Sequence, residues 1–155
     1  MHSNGKSTQI ILEQCRQHKE VEIVGVAEIN QTRGEQLVSE FGTTCYNSVD
    51  SLISAGLDLD VVALPHDQLL DCGLNLLNAN CHLLTEKPMG NSLVEAKTLW
   101  EAYRDAGDLV CTVSFVHRYR PAFSKASELL QHGELGDIVS IHEHFRFPGD
   151  SRVPQ

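Results

Sequence analysis

Four short apolar runs constrain this chain more than any other feature. They are "VEIVGVAE" (21–28), "DLDVVALP" (58–65), "CHLLT" (81–85) and "LVCTVSF" (109–115). Each is apolar throughout rather than alternating, the pattern of a strand covered on both faces. The segments between them carry helix punctuation. The opening residues to about Gln17 read as a helix, and "RGEQLVSEFG" as a short one closed by Gly42, a residue suited to the left-handed C-terminal position. "SVDSLISAG" reads as a helix capped by Ser48 or Asp50 and ended by Gly56, with "TTCY" as a brief strand before it. "HDQLLDCGLNLLNAN" is helical. Ser92 and Glu95 form a capping box for the next helix, whose face is predicted as Leu93, Ala96, Trp100 and Tyr103. "PAFSKASELLQHG" is a helix with proline at its start, and "DIVSIHEHF" a final strand. Regular strand–helix alternation predicts an α/β fold with a parallel sheet and helices on both faces.

Composition removes several classes of function. A chain of 155 residues with 41% apolar and 21% charged residues has the makings of a globular core. Its net charge of -9 argues against nucleic acid or an anionic membrane as partner. No apolar run has transmembrane length, and "MHSNGKSTQI" lacks the features of a signal peptide. The five cysteines, Cys15, Cys45, Cys72, Cys81 and Cys111, are odd in number and form no CxxC pair. They read as reduced thiols in a cytoplasmic protein.

In open parallel sheets the ligand sits beyond the carboxyl ends of the strands, so the residues closing each strand come first. They are Glu28, then Pro65 and His66, then Glu86-Lys87-Pro88, then His117 and Arg118. A carboxylate at Glu28 can accept hydrogen bonds from the two ribose hydroxyls of an adenine nucleotide and would repel a 2'-phosphate. Taken singly, it is an ordinary loop acid. Lys87, set between a carboxylate and a backbone-fixing proline, can hydrogen-bond a substrate hydroxyl and share in moving its proton. Taken singly, it is an ordinary surface lysine. Arg118, Tyr119 and Arg120 offer donors to a carboxamide or phosphate, or simply form a polar loop.

Two partial motifs carry less. "SNGKST" matches the end of a phosphate-binding P-loop, but no glycine stands five residues ahead of Gly5 and no strand precedes it. His142 and His144 alternate on the expected last strand and would share a face. Glu143 would point away from them and no third ligand has recognisable spacing, so no metal site is predicted.

The four runs together, with "EKPMGNSLVEAKTLWEAYRDAG" after the third and "GELGDI" some fifty residues beyond it, resemble the Gfo/Idh/MocA family of nicotinamide-dependent oxidoreductases. The resemblance extends from about residue 20 to 147. It implies a Rossmann domain over 1–116 and the start of a second α/β domain, for substrate and oligomerisation, over 117–155. It implies hydride transfer between NAD and a hydroxyl-bearing carbon of a sugar, inositol or related polyol, with NADP the lesser cofactor. Lys87 then matches the catalytic lysine of the Glu-Lys-Pro signature. Glu28, Pro65, His66, Glu86, Lys87 and Arg118 match cofactor-binding positions. A homo-oligomer through the second domain's sheet is a further implication.

The chain departs from the family pattern in three places. A first strand with G-x-G-x-x-G is absent, a histidine often found four residues after the cleft proline is Leu69, and the family's downstream Asp and His have no counterpart. The sequence therefore reads as the middle of such an enzyme. The alternatives are a non-catalytic remnant or interaction protein, and, more weakly, a P-loop protein.

Overall fold

The computed structural model describes residues 6–144. They divide into one compact unit reaching Phe115 and a second beginning at Val116. The first unit contains α1 (Lys6–Cys15), β1 (Gly25–Ala27), α2 (Gln31–Phe41), β2 (Thr44–Tyr46), α3 (Val49–Ile53), β3 (Leu59–Val62), α4 (Leu69–Asn78), β4 (His82–Thr85), α5 (Leu93–Asp105) and β5 (Cys111–Val113). A 3-10 turn, His66–Gln68, leads into α4. The second unit holds a 3-10 turn, Val116–Tyr119, and α6 (Pro121–Gln131), which has proline at its start as expected.

Every strand pairing among the described residues is parallel. β1 pairs β2 with Val26 opposite Cys45, β3 pairs β4 with Val61 opposite Leu84, and β4 pairs β5 with Leu84 opposite Thr112. Among the described residues the strands form two ladders rather than one, β1-β2 and β3-β4-β5. Among the described residues, β1 and β3 each keep one edge without a strand partner.

The cores are unequal in size. Val62, Leu69, Cys72, Leu76, Leu77, Cys81, Leu83, Leu99 and Leu109 make a continuous buried cluster under the larger ladder. Leu12, Val26 and Leu37 make a smaller one under β1-β2. Alternation of α4's apolar side chains at helical spacing places Leu69, Cys72, Leu76 and Gly73 inward.

Some sequence expectations shift. The strand expected from Val21 is only Gly25–Ala27, because its partner β2 is equally short and Val21 N–H instead turns back to the His18 carbonyl (3.1 Å). The face predicted for α5 was misplaced by one residue. Leu93 is 71% exposed and Trp100 49% exposed, while Leu99 is fully buried. Leu99, Ala102, Tyr103 and Ala106 form the inward seam, at spacings of three and four that fit the 3.6-residue period. The last expected strand does not form over 137–144. A strand is stable only with a hydrogen-bonding neighbour, and that stretch has none among the described residues, leaving Val139 96% exposed. Phe145 lies outside the described residues.

Candidate functional site

Two strand-to-helix turns carry the acids singled out by sequence. At the first, β1 runs into Glu28, and Asn30 caps α2 by accepting the Arg33 backbone N–H on its side-chain oxygen (3.0 Å). Glu28 Oε1 accepts the Asn30 N–H at 3.0 Å, and its backbone N–H continues the ladder to the Tyr46 carbonyl. Glu28 Oε2 lies 3.3 Å from Arg33 Nε and accepts no hydrogen bond. The Glu28 side chain is 1% exposed and that of Arg33 is 23% exposed. Gly42 closes the same helix at φ 64°, where a side chain would be strained.

At the second turn β4 delivers Thr85, Glu86, Lys87 and Pro88 in succession. Glu86 N–H donates to the Val62 carbonyl (2.9 Å), which ties this turn to the end of β3. A Glu86 carboxylate oxygen accepts the Lys87 N–H at 3.2 Å. The Lys87–Pro88 peptide is cis. Lys87 is exposed, and its ammonium has no carboxylate partner among the described residues. Ser92 caps α5 by accepting the Glu95 N–H (3.2 Å), and Glu95 reaches back to the Asn91 N–H (2.7 Å). The capping box therefore closes one residue earlier than its usual form. Gly90 is pressed onto this helix start: a Cβ there would meet Glu95 Cβ at 2.8 Å and Ala96 N at 2.9 Å.

Pro65 and His66 follow β3, and the register of Val62 opposite Thr85 sets them beside Glu86 and Lys87 on adjacent strand ends. His66 is exposed. Arg118 lies in the second unit's 3-10 turn, exposed, with its carbonyl accepting from Ser124 Oγ (3.2 Å). The same-face pair expected of His142 and His144 is not formed, since no strand holds them.

A cavity of about 130 Å³ opens between the two ladders. Ala27, Glu28 and Ile29 form one wall, Val61, Val62 and Leu64 another, with Asn47 and Ser48 between them. It also reaches Asp60, whose carboxyl burial pushes up to about 6 against a backbone hydrogen bond at Val61 that lowers it. The cavity suits the adenosine end of a dinucleotide. Its walls are mainly apolar, it lies at carboxyl strand ends, and Glu28 Oε2 is a buried acceptor without a hydrogen-bond donor.

Three of the thiols are held in their neutral form by burial. All five cysteines are free. Burial pushes Cys72 up to about 12 and Cys81 up to about 11, Asp60 adding to both, and raises Cys111 as well. Such thiols are poor nucleophiles at neutral pH.

Sequence reading missed Arg33 and Asp60. Arg33 stands in "EINQTR", five residues after Glu28 with the cap between them. That spacing could have signalled the ion pair, because the cap turns the chain back toward the strand end. Asp60 gave no such signal, since its environment depends on β1 and α4.

The family profile described as the oxidoreductase family, NAD-binding Rossmann fold (Gfo/Idh/MocA), matches residues 4–115. The chain belongs to this family. Glucose-6-phosphate 3-dehydrogenase of Bacillus subtilis is 35% identical over 128 residues, covering 83% of this chain and 36% of that protein. D-xylose 1-dehydrogenase (NADP(+)) 2 of Haloferax volcanii is 29% identical over 133 residues, covering 84% and 40%. The crystal structure of scyllo-inositol dehydrogenase from Lactobacillus casei, with bound NAD(H) and scyllo-inositol, superposes with a TM-score of 0.81. It shares 18% identity and covers 87% of this chain and 41% of that one, so it shows the fold alone. The chain spans about two fifths of the length of these proteins. No helix among the described residues is long and apolar enough to cross a membrane.

Proposed function

We propose that this Gfo/Idh/MocA chain forms the nucleotide-binding part of an oxidoreductase that moves hydride between NAD and a hydroxyl-bearing carbon of a sugar, inositol or related polyol. The observation that carries the reading is Lys87: exposed, without a carboxylate partner, and fixed at the end of β4 beside the end of β3. The nicotinamide, when bound, supplies the hydride acceptor or donor. Glu28 takes the adenosine ribose, and its charge favours NAD over NADP. Pro65 and His66 line the cleft, Glu86 steadies the turn through the Lys87 N–H, and Arg118 contributes donors near the nicotinamide end. Lys87 holds the substrate hydroxyl and shares its proton as hydride leaves the same carbon.

The test is a titration with NADH followed by turnover assays on inositols, glucose 6-phosphate and xylose, using the full polypeptide that contains this chain. Lys87→Met is expected to lower turnover by about 10² to 10⁴, far more than it lowers NADH affinity. A variant with near-normal turnover would reduce Lys87 to a structural part.

A second reading, a non-catalytic chain that associates with another, is favoured by the edges of β1 and β3 that lack a strand partner among the described residues. The NADH titration separates the two, since that reading requires no cofactor binding.

A further inference from the structure

Pro88, Met89, Gly90 and Asn91 join Lys87 to Ser92, the cap of α5. Lys87 is exposed, with no carboxylate partner among the described residues, so its backbone sets where the flexible side chain can reach. Upstream, that backbone is held by Glu86, whose N–H donates to the Val62 carbonyl and whose carboxylate accepts the Lys87 N–H. Downstream it is held by Glu95. Gly90 is buried against this residue, where a Cβ would come within 2.8 Å of Glu95 Cβ. Glu95 Oε2 accepts the Asn91 N–H at 2.7 Å, the length of a charge-assisted bond. That bond does not serve the helix. In the usual capping box the glutamate returns to the N–H of the cap residue, here Ser92. Glu95 reaches one residue further, into the connection to Lys87, while Ser92 caps α5 through the Glu95 N–H.

We propose that Glu95 is a positioning residue for Lys87. By clamping Asn91 and seating Gly90 it fixes the connection that keeps the lysine at the end of β4. The inference rests on the reading of Lys87 above. A lysine assists proton movement only from within hydrogen-bond reach of the hydroxyl. A misplacement of about 1 Å costs up to about a hundredfold in rate. Without the Glu95 carboxylate the downstream flank keeps the packing of Met89 on the larger core cluster. Apolar packing is non-directional, whereas a hydrogen bond fixes the orientation of the peptide that makes it.

The test uses the full polypeptide in its native form and as Glu95→Ala, Glu95→Gln, Glu95→Asp and Ser92→Ala. Each is assayed for turnover with NAD on inositols, glucose 6-phosphate and xylose, and titrated with NADH. Amide hydrogen exchange is followed in the same proteins without cofactor. Glu95→Ala is expected to lower kcat by about tenfold to a hundredfold, far more than it lowers NADH affinity. Its Asn91 and Lys87 amides should exchange faster. Glu95→Gln keeps an oxygen acceptor and should recover most of the lost turnover. Ser92→Ala removes the helix cap alone, so the Glu95 amide should exchange faster while Lys87 exchange and turnover stay native. Equal losses of turnover in Ser92→Ala and Glu95→Ala would reduce Glu95 to part of the cap and overturn the proposal. So would a Lys87 amide whose exchange is unmoved in Glu95→Ala, whatever the substrate. Should Glu95→Ala fail to fold, Glu95→Asp decides, because it keeps the charge at the helix start and draws the carboxylate back from Asn91. Native turnover and native Lys87 exchange in that variant refute the clamp. Turnover that survives Lys87→Met refutes the reading of Lys87 and this inference with it. Turnover that needs Lys87 but not Glu95 refutes this inference alone.

Discussion

The turns β1–α2 and β4–α5 use the same local chemistry for opposite ends. Each leaves a parallel strand on a glutamate, and each starts a helix from a side-chain cap, Asn30 in one and Ser92 in the other. In each, a carboxylate also holds a backbone N–H at the cap or beside it: Glu28 holds that of the cap residue Asn30, and Glu95 that of Asn91, one residue before the cap. They differ in where the charged side chain goes. Glu28 is drawn inward and neutralised by Arg33, whereas Lys87 is left outside, with Glu86 engaged by the lysine's own backbone N–H. A rigid turn can therefore either bury a charge with its partner or present one to solvent. Only the second arrangement leaves a cation available for chemistry.

The supports beneath the two turns differ as well, and this gives the largest effect on stability. Leu99 of α5 is fully buried in the nine-residue cluster, and Leu37 of α2 in the three-residue one. Leu99→Ala should cost about 3 to 5 kcal/mol, and Leu37→Ala nearer 2 to 3, because a small cluster collapses more readily onto a void. Urea unfolding of both variants checks this, and equal losses would erase the contrast.

The cavity beside the first turn contains Asp60, and the second turn has no counterpart for it. Its carboxyl holds a proton up to about pH 6 when folded, against about 4 when unfolded. Through that window the folded chain keeps a proton that the unfolded chain has released, so stability falls as pH rises. Above pH 6 the loss is complete. Asp60→Asn should flatten the dependence and add no more than about 3 kcal/mol at pH 7. A stability profile from pH 3 to 8 that is unchanged by the substitution would remove Asp60 from the account.

The smallest effects test the likeness of the turns. Asn30→Ala and Ser92→Ala should each cost about 1 kcal/mol. Ser92→Ala should also speed hydrogen exchange at the Glu95 amide, which would lose its acceptor. Much larger loss at Asn30 would show that the Glu28–Arg33 pair depends on its cap more than the Lys87 turn depends on Ser92.

Much of this was legible in the sequence because it rests on neighbours a few residues apart. The caps at Ser48 and Ser92, the helix end at Gly42, the proline opening α6 and the order of elements are all local. The placement of Pro65 and His66 beside Glu86 and Lys87 followed from parallel strands with ends on one rim. The inward face of α5 was not legible. A helix with apolar residues on several sides shows its seam only when β4 and α4 press on Leu99.

By itself, then, the sequence determined the α/β class, the punctuation of its helices and the strand ends that Glu28 and Lys87 each follow. Those depend on backbone preference and on short-range periodicity, which each segment carries with it. Tertiary structure alone decided that Glu28 is buried against Arg33, that Asp60 lines a cavity, and that the strands form two ladders. It also left 137–144 without a strand. The reason is that burial, ion pairing and strand pairing are properties of two segments at once, and the second segment is distant in the chain.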